Sequence, residues 1–157
     1  MSVPLTVRVQ QEDFQVADRQ ASVLQGQSDE GAVATFTGYV RNNNDNRDVY
    51  TLELEHYPGM TENSILAILR ESADRWPVLA AAVTHRVGKL APGEQIVWVG
   101  VSSSHREVSF AACEFIMDYL KTRAPFWKKE LGAGGGRWVD ARDSDTKRAM
   151  RWQQQQQ

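Results

Sequence analysis

The sequence predicts an α+β fold built on a mostly antiparallel sheet. Two observations carry this. Amphipathic helical segments interleave with strands, yet several strand neighbours read as hairpins rather than as βαβ units. One strand, residues 94–101, is apolar almost throughout and asks for cover on both faces. In order, Leu5 to Val9 alternates apolar and polar residues as a short strand. Phe14 to Leu24 holds a short helix. Gly31 to Val40, rich in Val, Thr, Phe and Tyr, is a strand. Residues 41–48 have no apolar residue and form a loop. Val49 to Tyr57 alternates again, with Leu52, Leu54 and His56 on one face, and pairs with the strand before it as a hairpin.

Pro58-Gly59 turns the chain, and Thr61 caps a helix from Glu62 to about Trp76, which Pro77 ends. Ala81 to Val87 is a strand with Val83, His85 and Val87 on one side. Pro92-Gly93 turns into the apolar strand. Ser104 to Thr122 is the strongest helix, opened by a Ser104/Glu107 capping box and apolar over most of its circumference. Residues 132–136, with four glycines, read as a flexible loop. Residues 137–151 are polar, with Trp138, Val139 and Trp152 as anchors. One domain is expected over residues 1–152, followed by a disordered glutamine tail at 153–157.

At 157 residues the chain suits a single domain with a real core. A net charge of −2 argues against bulk nucleic-acid binding, though not against a local cationic pocket. Cys113 is the only cysteine, so neither an intrachain disulfide nor a cysteine zinc site is available. Its mid-helix place among apolar residues marks a packed thiol. The three histidines are not at metal-site spacings, and no metal or cofactor is expected. No apolar run reaches the ~20 residues of a membrane span, and the N-terminus lacks a signal peptide's apolar core, so a cytoplasmic protein is the default.

The chemistry concentrates in Phe115–Glu130. A helix runs into Lys121, Arg123, Lys128 and Lys129, with Ala124-Pro125 between them and Phe126 and Trp127 alongside. Proline ends the helix, so Lys121 and Lys128 do not share one helix face. The run reads either as an anion site with tuned amines or as a basic helix end that complements the macrodipole. Asp118, three residues before Lys121, is placed to pair with it. Glu130 either orients a lysine or is solvated. His105 and Arg106 open the strongest helix, where free amides favour an anion. The pair reads either as part of an anion site or as a capping segment whose side chains point to solvent, and the cost of cations to the helix itself there is a mild sign of a ligand. Arg41 follows a strand. His56 and His85 sit on apolar strand faces and read as satisfied core or edge histidines.

Together these segments resemble the large, catalytic subunits of molybdopterin synthase. The resemblance is carried by Phe36–Asn42, Leu54–Met60, His85–Gly88, Pro92–Glu94, Ser104–Arg106, the long block Phe115–Glu130, and Arg137–Val139, in the family's order from about residue 5 to residue 152. It implies an α/β-hammerhead-like α+β fold and a dimer of large subunits. Each would bind a small ubiquitin-like sulfur-carrier subunit, giving a heterotetramer. The implied reaction moves two sulfurs from the carrier's C-terminal thiocarboxylate to cyclic pyranopterin monophosphate, forming the dithiolene of molybdopterin. The implied catalytic residues are Lys121 and Lys128. Arg41, His105 and Arg106 would bind substrate with them, adjoined by Tyr39, Val40, Lys129 and Glu130. One pocket would gather Arg41, Arg106 and both lysines at a helix start.

Overall fold

A computed structural model of the chain describes residues 2–26, 28–44, 47–48, 51–132, 135–139 and 143–154. Its first sheet has the order β1, β6, β8, β2, with β1 at Leu5–Gln10, β2 at Ala32–Tyr39, β6 at Val78–Arg86 and β8 at Gln95–Ser103. β8 is antiparallel to both β6 and β2, and β1 lies parallel on β6. The apolar run of β8 is explained by its place. Val97, Val99 and Val101 pack under helices α2 (Met60–Arg75) and α3 (Arg106–Leu120), with Ile65, Ile68, Leu69, Phe115 and Ile116. Trp98 points to the other face, with Phe14, Val23, Ala80 and Ala82, where the short helix α1 (Val16–Ser22) lies. Both faces are therefore buried, as expected for such a strand.

The second sheet has the order β10, β9, β5, β7, with β5 at Thr51–His56, β7 at Gly88–Leu90, β9 at Phe126–Gly132 and β10 at Gly135–Val139. All of its pairings are antiparallel. The fold is thus a mixed α+β domain, as the sequence predicts.

Several expectations are corrected. The strands at 31–40 and 49–57 do not pair: β2 joins β8 in the first sheet, while β5 joins β9 and β7 in the second. The end of β2 is tied elsewhere, because the Val40 N–H donates to Glu94 O at 2.9 Å and Gly93 N–H donates to Val40 O at 2.8 Å. The polar stretch between them makes its own two-residue pair, β3 (Asn43–Asn44) with β4 (Arg47–Asp48). The segment after Pro125 is the strand β9, and the glycine-rich 132–136 joins β9 to β10, its residues 133 and 134 lying outside the described ones.

The Ser104/Glu107 box is absent. α3 starts at Arg106 with His105 as an N-cap that makes no side-chain capping bond. Ser103 does the local work instead: its hydroxyl donates to His105 O at 2.6 Å and pairs with the Ser109 hydroxyl. α2 is preceded by Gly59 as its N-cap, whose φ of 85° suits glycine and whose N–H donates to Glu62 Oε2 at 3.2 Å. Thr61 lies inside the first turn, accepting from the Tyr57 N–H and donating to Pro125 O, both at 2.9 Å.

The polar C-terminal region holds helix α4 at Asp143–Gln154. It runs two residues into the glutamine tract, and residues 155–157 lie outside the described ones. Trp152 anchors it, buried edge-on against Phe115 and Trp76 at ring distances of 5.5 and 5.6 Å.

Candidate active site

β8 ends at Ser103 beside Ala32, and α3 returns across the sheet. Ser109, in its first turns, still donates to Ala32 O at 3.3 Å. The helix C-terminus therefore reaches the opposite edge, where Gln95 pairs with Tyr39 and Val97 pairs with His85. Lys121 is the C-cap of α3. The chain then turns tightly, with Arg123 N–H donating to Tyr119 O at 2.8 Å. Arg123 leans back over the Tyr119 ring, pairing with Glu71, and so leaves the site. Pro125 cannot extend the helix, and β9 starts at Phe126.

Alternation along β9 sorts the block. Phe126, Lys128 and Glu130 register with His56, Leu54 and Leu52, whereas Trp127 and Lys129 register with Glu55 and Glu53. Leu52 and Leu54 are buried, so Lys128 and Glu130 share the inner face. Glu130 is buried rather than solvated, at 7% exposure. Lys128, Lys129 and Glu130 all have interaction partners within the fold. Trp127 and Tyr39 are about half exposed, at 47% and 54%. Lys121 and Lys128 thus approach one place from a helix end and a strand, as the proline break requires.

The expected Asp118–Lys121 pair does not form the Asp118 environment. Asp118 is buried, and its Oδ2 accepts from Trp152 Nε1 at 2.8 Å and Arg151 Nη2 at 3.0 Å. The carboxylate belongs to the α4 anchor.

At the centre lies His85, which the sequence marks only as a satisfied strand histidine. It is satisfied: its Nδ1 lies 2.8 Å from Arg86 O, and a carbonyl can only accept, so Nδ1 carries the proton. Its ring stacks on Phe126 at 3.9 Å with an 18° interplanar angle. Burial pushes its pKa down from 6.5 to about 3; the Arg86 carbonyl opposes this, while the charges of Lys121, Lys128 and His56 push the same way. His85 is therefore a neutral imidazole on which both lysines act. His56 Nε2 lies 3.9 Å from Glu62 Oε1. The missed signal was the placement of His85 one residue before the end of β6.

Val40 is buried among Leu52, Leu54, Val87 and Leu90, and its backbone is fully used, so it positions Tyr39 and Arg41 rather than offering a side chain. Arg41 is exposed at this same edge of the sheet. His105 and Arg106 are not here. Fifteen helical residues separate Arg106 from Lys121, about 22 Å at 1.5 Å per residue. The single pocket expected at a helix start is thereby corrected: one chain splits its cations between the two ends of α3. Cys113 is buried and burial pushes its thiol up to about 12, which keeps it an inert core thiol. Among the described residues, no group of three or more His, Cys, Asp or Glu is arranged to hold a metal, and no helix is long and apolar enough to cross a membrane.

Two ammonium groups beside a neutral, buried imidazole can lower the energy of an anion, or of negative charge that develops on one. The chain is 57% identical over 147 residues to a molybdopterin synthase catalytic subunit of Vibrio cholerae, covering 94% of this chain and 97% of that one. A Pseudomonas aeruginosa protein of the same name is 50% identical over 150 residues, covering 96% and 100%. Among solved structures, the molybdopterin biosynthesis MoaE protein of Burkholderia ambifaria superposes with a TM-score of 0.82 at 48% identity, over 95% of this chain and 98% of that one. The molybdopterin synthase of Staphylococcus aureus gives a TM-score of 0.79 at 30% identity, over 85% and 96%. The family described as MoaE protein matches residues 9–123, and with relatives this similar along nearly the whole length, the chain belongs to the MoaE family.

Proposed function

We propose that this chain is the catalytic subunit of a cytoplasmic molybdopterin synthase. It would take one sulfur from each of two thiocarboxylated carrier subunits in turn, small ubiquitin-like proteins whose C-termini are left as carboxylates. It would place the two sulfurs on cyclic pyranopterin monophosphate to form the dithiolene of molybdopterin. The observation that carries this reading is the convergence of Lys121 and Lys128 on the neutral His85 at one edge of the sheet. Both reactants are anions, the thiocarboxylate and the cyclic phosphate, and they repel each other unless cations stand between them. The naming of the relatives as catalytic subunits supports the need for a second kind of subunit.

In this reading Lys121 faces the carrier thiocarboxylate, and its charge stabilises the tetrahedral oxyanion as sulfur leaves. Lys128 acts on the pterin side, as proton donor or clamp while the phosphate ring opens. Arg41 holds phosphate at the same edge. Tyr39, Lys129 and Glu130 adjoin the substrate, and Val40 acts through its backbone ties. His105 and Arg106, about 22 Å away along α3, serve the site of a second copy in a dimer of large subunits. With a carrier on each, the assembly is a heterotetramer. A thiolate route through Cys113 is disfavoured by the burial of that thiol.

The test is reconstitution: purified chain, thiocarboxylated carrier and cyclic pyranopterin monophosphate, with dithiolene product as the readout. Wild type and Cys113→Ala should form product, while Lys121→Ala should fold, bind carrier and form none. Near-wild-type turnover by Lys121→Ala would sink the assignment.

A further inference from the structure

We propose that His85 is a positioning residue of the lysine site: a buried imidazole, clamped between the Arg86 carbonyl and the Phe126 ring, that sets the spacing of the Lys121 and Lys128 ammonium groups. This rests on the reading of the lysine pair as the reaction site. The two lysines stand on different elements, Lys121 closing α3 over the first sheet and Lys128 lying in β9 of the second. Their separation is fixed by how the intervening turn is pinned. Three ties pin it: Arg123 N–H to Tyr119 O at 2.8 Å, Thr61 Oγ1 to Pro125 O at 2.9 Å, and the Phe126 ring on His85 at 3.9 Å. The first is internal to the turn, and the second reaches it from α2. The third ties β9 directly to the first sheet, because His85 belongs to β6, pairing with Val9 and Val97.

An imidazole fits this place for physical reasons. Its Nδ1–H satisfies the Arg86 carbonyl, which fixes the ring plane. That plane offers a face for Phe126 to stack on. The charged or titratable groups acting on it are Lys121 from α3, Lys128 from β9 and His56 from β5. A ring that stays uncharged adds no third cation to repel the lysines, whereas an arginine there would. Phe126 also packs against both the helix-covered core and the cluster of Val40, Leu52 and Leu54, so a shift of its ring moves Lys128 two residues on.

The test uses two variants of the full chain. His85→Phe keeps a stacking ring but makes the floor apolar. His85→Asn keeps a donor for the Arg86 carbonyl but removes the ring. The placement of Lys121 and Lys128 is followed at one fixed pH by NMR chemical shifts of side-chain-labelled lysine, assigned with Lys121→Arg and Lys128→Arg. His85→Asn, which removes the ring that Phe126 stacks on, should move the signals of both lysines. His85→Phe, which keeps a ring to stack on, should move them less. In the reconstituted reaction kcat should fall at least about tenfold in His85→Asn, with carrier affinity retained. Lysine signals that stay at the wild-type positions in a folded His85→Asn would overturn the proposal. If that variant does not fold, His85→Ala takes its place with the same expected and overturning results. If the wild type itself forms no product, the function reading fails, and the lysine signals still decide the role of His85.

Discussion

His85 makes a specific prediction about acid stability. Its pKa is about 3 in the fold against 6.5 for the free group, so between those values the unfolded chain binds a proton that the native chain refuses. Stability therefore rises with pH through this window and is lost as pH falls from 6.5 toward 3. The full window corresponds to about 5 kcal/mol as a ceiling, at about 1.4 kcal/mol per unit. Between pH 7 and pH 5 the loss is about 2 kcal/mol, because the unfolded histidine is almost fully protonated at pH 5 while the buried one remains neutral. The assay is urea unfolding at a series of pH values for wild type and His85→Phe. Asp13 and Glu30 also lose stabilisation in acid. Hydrogen bonds from Gln95 and from the Gln25 amide hold these carboxyls below 3.8 and 4.5, so their loss comes at lower pH. Both remain in the variant and cancel in the difference. The difference curve should therefore grow by about 2 kcal/mol between pH 7 and 5. Parallel curves would refute the claim that the native fold keeps this imidazole neutral.

Three further results are expected. Gly100→Ala should destabilise the fold by about 1–3 kcal/mol in urea unfolding, since a Cβ there would sit 2.3 Å from the Trp98 ring. Asp118→Asn should cost about 1–3 kcal/mol, because the charged acceptor shared by Trp152 and Arg151 is weakened in a buried place; the change should loosen α4 in hydrogen exchange and leave carrier binding intact. Cys113→Ala should keep turnover within about twofold of wild type, any loss tracking the small change in core packing.

Much of this architecture is legible from local pattern. β8 shows its double burial in an unbroken apolar run, and Pro125 shows that Lys121 and Lys128 leave the helix on separate elements. The strand partners were not legible. Two alternating strands joined by a polar stretch look like a hairpin, and it is the long-range ladder of β2 on β8, extended by the ties of Val40 to Gly93 and Glu94, that sends β2 to another sheet. α4 was hidden because a single tryptophan and one alanine carry its buried side, with Asp118 supplying the rest of the anchor from another helix. Asp118 misled for the same reason: an i,i+3 neighbour on the helix was outcompeted by a buried indole N–H. The motif residues of the site were each visible, but the distance that α3 sets between its two cationic ends was not weighed against the single pocket expected. Sequence order puts His105 and Arg106 at the start of this 15-residue helix and Lys121 at its end, but it does not say whether the two ends meet in one site.

That division supplies the most direct measurement. Lys121→Ala and Arg106→Ala are each expected to be inactive alone. Mixed in equal amounts under conditions that exchange subunits, half the dimers carry one of each, and each of those has one site with both residues intact. The account predicts recovery of about a quarter of wild-type turnover in the reconstituted reaction. No recovery, with exchange verified by mass, would contradict a site assembled from the α3 C-terminus of one copy and the α3 N-terminus of another.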